Sequence, residues 1–303
     1  MIHAPSLISR RSWLLGTLAG WAVGPTLARG DGPFDAIRAR ARAAGMGPFD
    51  ESESANYRAI GDARKEFREG ALEVCESVAA DYRKHFAERG FDLDVPKGKL
   101  TVVVLAGPKS YAAFEAGFLD EAIGGHFDLK ENRLVMFDFR GIGANPKAVA
   151  EEDNTFALVH ESVHQLTFNT GLLDLKANAP LCVVEGLATY AETWRPRRRG
   201  AIGQVNRRRL LGLRQGRDQG VGWIPLEALL ADDRPFDDPK TEQVAYAEGW
   251  MFVHKMMEPA RRAKFRAYLK ALLVKAEPAR RVEIASAHLG DLDRLDREVR
   301  AVR

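Results

Sequence analysis

The stretch ALVHESVHQL, residues 157–166, places two histidines four residues apart with a glutamate directly after the first. On a helix, His160 and His164 stand one turn apart, offset by about 40° around the axis and about 6 Å along it. Two imidazoles so placed reach one ion at roughly 2.0–2.1 Å each. Glu161, about 100° round from His160, then contacts a water on that ion without being a ligand. That is the mechanical content of an H-E-x-x-H motif. The plain alternative is a polar helix face that carries an i,i+4 histidine pair by chance. Phe156, Val159, Val163 and Leu166 step by three and four beside the histidines, so the segment reads as a helix with a buried stripe. Asn154 or Thr155 can cap it, and Asn169 or Gly171 can end it.

A second helix follows in APLCVVEGLATYAETW, residues 179–194, opening at Pro180. Leu181, Val184, Leu187, Ala188 and Ala191 form its apolar stripe. Glu185 falls inside that apolar stretch, where an unpaired carboxylate is expensive to bury. A metal ion removes the penalty. With His160, His164 and Glu185 as ligands, a fourth position stays open, as a hydrolytic zinc site requires.

HESVH at 160–164 followed by VVEGLATY at 183–190 resembles the gluzincin branch of the zinc metallopeptidases, in the peptidase MA-like superfamily. In that branch a second helix with an E-G-x-A pattern supplies the third ligand about twenty residues after the second histidine; here Glu185 follows His164 by 21 positions. The resemblance covers roughly residues 99–258 and rests on the two short motifs in combination. It implies Zn2+ held by His160, His164 and Glu185, with Glu161 as the base that activates water for attack on a peptide bond. It also implies a zincin-like domain with a small mixed sheet and an active-site helix. Members often carry a tyrosine on a helix after the third ligand, and AYAEGWMFVHKM at 245–256 offers Tyr246 as an oxyanion donor, against a plain core tyrosine. Tyr190 is a weaker candidate for the same role. His254 reads as a surface or supporting histidine rather than a ligand, and His126 as an ordinary strand histidine. Two departures stand out. Relatives often place a carboxylate one turn after the third ligand to orient a zinc-bound histidine, but that position is Thr189; Glu192, two turns on, is the other option. The aminopeptidase signature Gly-Ala-Met-Glu-Asn is absent from the corresponding strand, NRLVMFD at 132–138, so no aminopeptidase is inferred.

The rest of the chain supports an α+β protein. Its 303 residues, 46% hydrophobic, are enough for one sizeable core with a helical appendage. Residues 29–98 read as a helical region, with a polar linker and then one long amphipathic helix from about Tyr57 to Phe86. KLTVVVLAG at 99–107 is a buried strand. GGHFDLKENRLVMFDF at 124–139 is a hairpin whose second arm, Leu134–Phe139, is expected to be an edge strand able to align an extended peptide. The loop RGIGANP at 140–146 holds a lone G-x-G, which reads as a turn. From Asn154 on the pattern is almost wholly helical, and residues 259–303 are expected to pack as helices on the 99–258 domain.

The amino terminus is of a different kind. SRRSWLL at 9–15 precedes a weakly apolar stretch ending in TLA at 26–28, which resembles a twin-arginine export signal over residues 1–28. An ordinary secretory signal and an uncleaved anchor are the alternatives. The expected location is therefore the periplasm or the extracellular space. No later apolar run is long enough to span a bilayer. The two cysteines, Cys75 and Cys182, form no CxxC and read as free buried thiols rather than a pair.

A formal charge of +3 with 29% charged residues gives no global argument for nucleic acid. Residues 195–217 nevertheless carry nine arginines. They read as a solvated helical face paired with acidic residues elsewhere; an acidic polymer is the alternative partner. The expected function is exported zinc peptidase activity, most simply an endopeptidase acting on peptide or protein substrates. The competing expectation is an envelope binding or structural protein that keeps the zincin fold without turnover.

Overall fold

The computed structural model describes residue 32 and residues 34–116, 124–140, 147–196, 202–275 and 277–302; the export-signal stretch 1–28 lies outside the described residues. In chain order the first part holds α1 (Asp35–Ala43), β1 (Asp50–Glu53), β2 (Tyr57–Gly61), α2 (Lys65–Ala87), β3 (Leu100–Leu105), α3 (Pro108–Phe114), β4 (Gly125–Asp128) and β5 (Arg133–Phe137). Then come α4 (Lys147–Asn169), α5 (Leu181–Ala191), α6 (Arg207–Asp218), α7 (Leu226–Ala231), α8 (Arg234–Asp237) and α9 (Glu242–Met256). Helices α10 (Arg262–Ala271), α11 (Arg281–Leu289) and α12 (Leu292–Arg300) close the described chain. This is the α+β architecture expected, with a small mixed sheet and a helical C-terminal part.

The five strands run in the order β1-β2-β3-β5-β4. Strands β2, β3 and β5 are mutually parallel, and β1 and β4 are antiparallel to their neighbours at the two edges. The central strands are buried on both faces, which is why LTVVVL and RLVMF read as continuous apolar runs. Val102, Val104, Leu134 and Met136 join the core under α2 and α4, while Val103, Leu105, Val135 and Phe137 join a second core with α1 and α3. The period-two alternation of strands thus divides one sheet between two helical layers.

Three sequence expectations need correction. The long helix begins at Lys65, not Tyr57, because Tyr57–Gly61 is a strand inserted beside β3. Tyr57 and Ala59 face one core and Ile60 the other, so a two-sided strand mimicked helical spacing. Gly61 permits the insertion, since a Cβ there would lie 1.8 Å from the carbonyl oxygen of Val104. Its partner β1 reads DESE and is largely exposed, so the polar linker contained an edge strand with no hydrophobic signal. Second, Leu134–Phe139 is not an edge: β5 spans Arg133–Phe137 between β3 and β4, and the edge on that side is β4. Third, α4 starts at Lys147, two turns before the proposed cap. Asn154 sits inside the helix and braces it to the end of the sheet, accepting from the Phe139 N–H at 2.9 Å and donating to Asp138 at 3.1 Å. Gly171, with φ +71°, follows the helix end as read.

Candidate metal centre

Helix α4 is clamped between α2, the β4–β5 end of the sheet and α5. Its stripe Phe156, Val159, Val163 and Leu166 is buried as expected, and this fixes the rotation that aims His160 and His164 at α5. Helix α5 is buried along its whole length and packs closely on α9. The site lies where these three helices meet.

His160 Nε2 stands 3.1 Å from Glu185 Oε2 and 3.1 Å from His164 Nε2, and His164 Nε2 stands 3.3 Å from Glu185 Oε2. A cation held tetrahedrally at about 2.05 Å spaces its ligands about 3.3 Å apart, so the three atoms already sit near the corners of one coordination shell. All three side chains are at least 95% buried. His160 Nδ1 lies 2.7 Å from Glu192 Oε1. A carboxylate only accepts, so the proton on His160 belongs on Nδ1, and in the neutral ring Nε2 turns its lone pair toward Glu185 and His164. Two imidazole nitrogens and a carboxylate oxygen converging in this way fit a divalent metal ion, and among the described residues they are the set that could hold one.

Glu192 settles how His160 is oriented. Thr189, one turn after Glu185, bonds back to the carbonyls of Glu185 and Gly186 at 2.7 and 3.0 Å and does not reach the histidines. Glu192 lies seven residues past Glu185, back on the same helix face. It also receives Asn206 Nδ2 at 2.8 Å and Arg209 Nε at 2.9 Å, with Arg209 Nη2 on its other oxygen. Burial pushes this carboxyl up, but the charge of Arg209 and the bonds from His160 and Arg209 outweigh it and hold the group at about 2. Glu192 is therefore a fixed anion behind His160, the carboxylate–histidine arrangement that orients metal ligands.

Arg209 and Asn206 were not legible as site residues, because the arginine-rich run looked like a solvated surface. The run divides. Arg209 is 3% exposed, while Arg207, Arg214 and Arg217 are exposed. Arg208 lies 3.7 Å from Asp153 with its guanidinium 4.0 Å from the centre of the Phe156 ring, and Arg195 pairs with Glu152 at 3.5 Å. These two follow the expected pairing with acidic residues. Residues 197–199 of the run lie outside the described residues. One signal was present: Arg209, Leu213 and Gly216 step by four and three, the spacing of the buried face of α6.

The remaining candidates separate cleanly. Glu161 is 2% exposed and lines a small cavity with His160, Tyr246 and Arg209. Tyr246 has its ring centre 6.5 Å from that of His160, so α9 brings it to the site. Tyr190 is turned away, its hydroxyl 3.1 Å from His85 Nε2. His254 packs half-buried against Trp250 and Tyr190 and is not part of the converging set of candidate ligands. His126 bonds Tyr111 at 2.7 Å on the far face of the sheet and is an ordinary strand histidine. Cys75 and Cys182 are free and buried.

Residues 154–277 match the model of a family described as a protein of unknown function (DUF1570). The matched segment contains every residue of the site, from His160 to Tyr246. Among curated proteins none matches the chain. Among the described residues no helix is long and apolar enough to cross a membrane.

Proposed function

We propose that this protein is an exported zinc-dependent metallopeptidase of gluzincin type that cleaves internal peptide bonds. The observation that carries the reading is the convergence of His160 Nε2, His164 Nε2 and Glu185 Oε2 at 3.1–3.3 Å from one another. Beside them, Glu161 lines the adjoining cavity. When bound, zinc supplies Lewis-acid polarisation of the substrate carbonyl and acidification of the attacking water. His160 and His164 hold the ion from one helix turn, Glu185 completes the set, and Glu192 keeps the proton of His160 on Nδ1. Glu161 accepts the proton of the attacking water and delivers it to the departing amine nitrogen. Tyr246 is the candidate donor to the oxygen that gains charge. Strand β4, an edge that starts at the cavity-lining Gly125, takes the peptide-aligning role once assigned to Leu134–Phe139. Export rests on the arginine pair and apolar stretch in residues 1–28.

The competing reading, a non-catalytic envelope protein with the zincin fold, draws on the non-acidic Thr189 and on the lack of a recognisable specificity signature; the contact of Glu192 with His160 supports the peptidase on the first count alone. The deciding experiment digests an unbiased peptide library with the purified protein. Cleavage is expected from the wild type and lost in Glu161→Gln, with zinc still near one equivalent by mass spectrometry. A wild type that holds zinc and cleaves no member of the library would overturn the peptidase.

A further inference from the structure

On α10, Ala263, Arg266, Ala267 and Lys270 are spaced by three and four residues and share one face of the helix. That face forms one wall of a groove of about 630 Å³, whose other wall carries Asp92 and Asp94 beside residues 170–172 at the end of α4. Small-ligand pockets commonly measure about 300–1,000 Å³. The groove shares no residue with the cavity at the candidate metal centre. Arg266 Nη1 donates to the carbonyl oxygen of Gly90 and ties the walls together. Asp92, Asp94 and Lys270 are exposed, and among the described residues their side chains make no hydrogen bond or ion pair. Opposite charges thus line one groove without neutralising each other. Asp94 Oδ2 lies 2.7 Å from where a Cβ on Gly171 would stand, so its carboxylate sits beside the carbonyl end of α4, which is itself negative. The floor is apolar: Phe91 and Leu172 are 5% exposed and Leu269 is 2% exposed.

We propose that this groove is a second binding site, for a short peptide with both termini free, its ammonium group at Asp92 and Asp94 and its carboxylate at Lys270 and Arg266. Two carboxylates face two cations, so the groove suits a ligand that carries both charges and no net charge. A net anion would meet Asp92 and Asp94, and a net cation would meet Arg266 and Lys270. The apolar floor gives the peptide's side chains a place to leave water, which a small dipolar solute without an apolar body would not use. The site rests on the groove's own residues and does not require the metal centre to be catalytic. If the peptidase reading holds, such a peptide is the class of product that the protein releases.

The test titrates the tripeptide Leu-Gly-Leu into the purified Glu161→Gln protein by calorimetry, so that the peptide stays whole whatever the metal centre does. Saturable binding is expected, weakened about fivefold by acetylating the amine or amidating the carboxylate. Asp94→Asn is expected to cost the free peptide about as much and the acetylated peptide nothing further; Lys270→Gln is expected to do the same for the amidated peptide. Both side chains are exposed and make no bonds, so neither substitution disturbs the fold. Gly-Gly-Gly and free leucine are each expected to bind more weakly than Leu-Gly-Leu, and equal binding by either overturns the choice of a peptide with apolar side chains. Affinity unchanged by both substitutions places the peptide elsewhere, the metal centre included, and overturns the groove. An absence of binding at millimolar peptide overturns it as well. None of these outcomes bears on cleavage, which the library digest reads separately.

Discussion

Gly186 of α5 and Gly249 of α9 meet so closely that a Cβ on Gly186 would stand 2.6 Å from the carbonyl oxygen of Gly249. The same Cβ would also stand 2.6 Å from Val253 Cγ2. Gly186 directly follows the candidate ligand Glu185, and Gly249 lies one turn beyond Tyr246. The contact sets how near α9 comes to the candidate metal centre. Gly186→Ala gains helix propensity of up to about 1 kcal/mol, but the clash falls on backbone that cannot rotate away. A net loss of about 1–3 kcal/mol is expected in urea unfolding, together with weaker zinc binding. Unchanged stability and zinc affinity would show that the helices can part without moving the site.

Glu192 is expected to matter in two separate measurements. Glu192→Gln leaves His160 without its anionic partner, and zinc affinity measured by chelator competition should fall about 10- to 100-fold. It also strands the buried Arg209, so metal-free protein should lose about 3–5 kcal/mol in denaturant unfolding. Wild-type zinc affinity in this variant would remove Glu192 from the account of the site.

A pH dependence is expected from Glu248, which directly precedes Gly249 in the middle of α9. Glu248 is 1% exposed, and both its oxygens lie within 3.3 Å of the Ile224 N–H. Burial, reinforced by Asp296, raises its carboxyl from the ordinary 4.5 to about 9, against the opposing Arg300 and Arg217. The folded protein therefore keeps a proton that the unfolded chain gives up above about 4.5. Stability from this group is complete below that value and declines as pH rises toward about 9. Glu248→Gln, which mimics the protonated acid, is expected to flatten the decline in melting temperature between pH 5 and 9. An equally steep decline in the variant would assign it to other groups.

The thiols are expected to be inert in the native state. Burial raises Cys75 to about 12 despite its contact with Ser162, and burial raises Cys182 still further. Both have 0% exposure. Neither should react with an aromatic disulfide reagent at pH 8 until the protein is unfolded, when two should react. A folded protein lacking titratable thiols after denaturation would mean that they had paired.

What could be read without coordinates was whatever one helix or one strand decides alone. His160, Glu161 and His164 share a helix, so their relative placement follows from 100° per residue, and Glu185 betrayed itself as a carboxylate in an apolar run. The core strands showed as apolar stretches for the same local reason. Misreadings arose where the deciding partner is distant in the chain. Tyr57–Gly61 is a strand because β3 lies beside it, and DESE is one because β2 does. Strand β5 is interior because the chain places it between β3 and β4, which no pattern within residues 133–137 records.

By itself, the sequence determined the helices that carry His160, His164 and Glu185 and the donor chemistry of those three side chains, because residue type and helical period act over a few residues. Only the tertiary structure decided that Glu192 orients His160 and that one arginine among nine is buried against it. A charge can be kept out of water only when its counter-charge arrives from another element, and that meeting exists only in the folded chain.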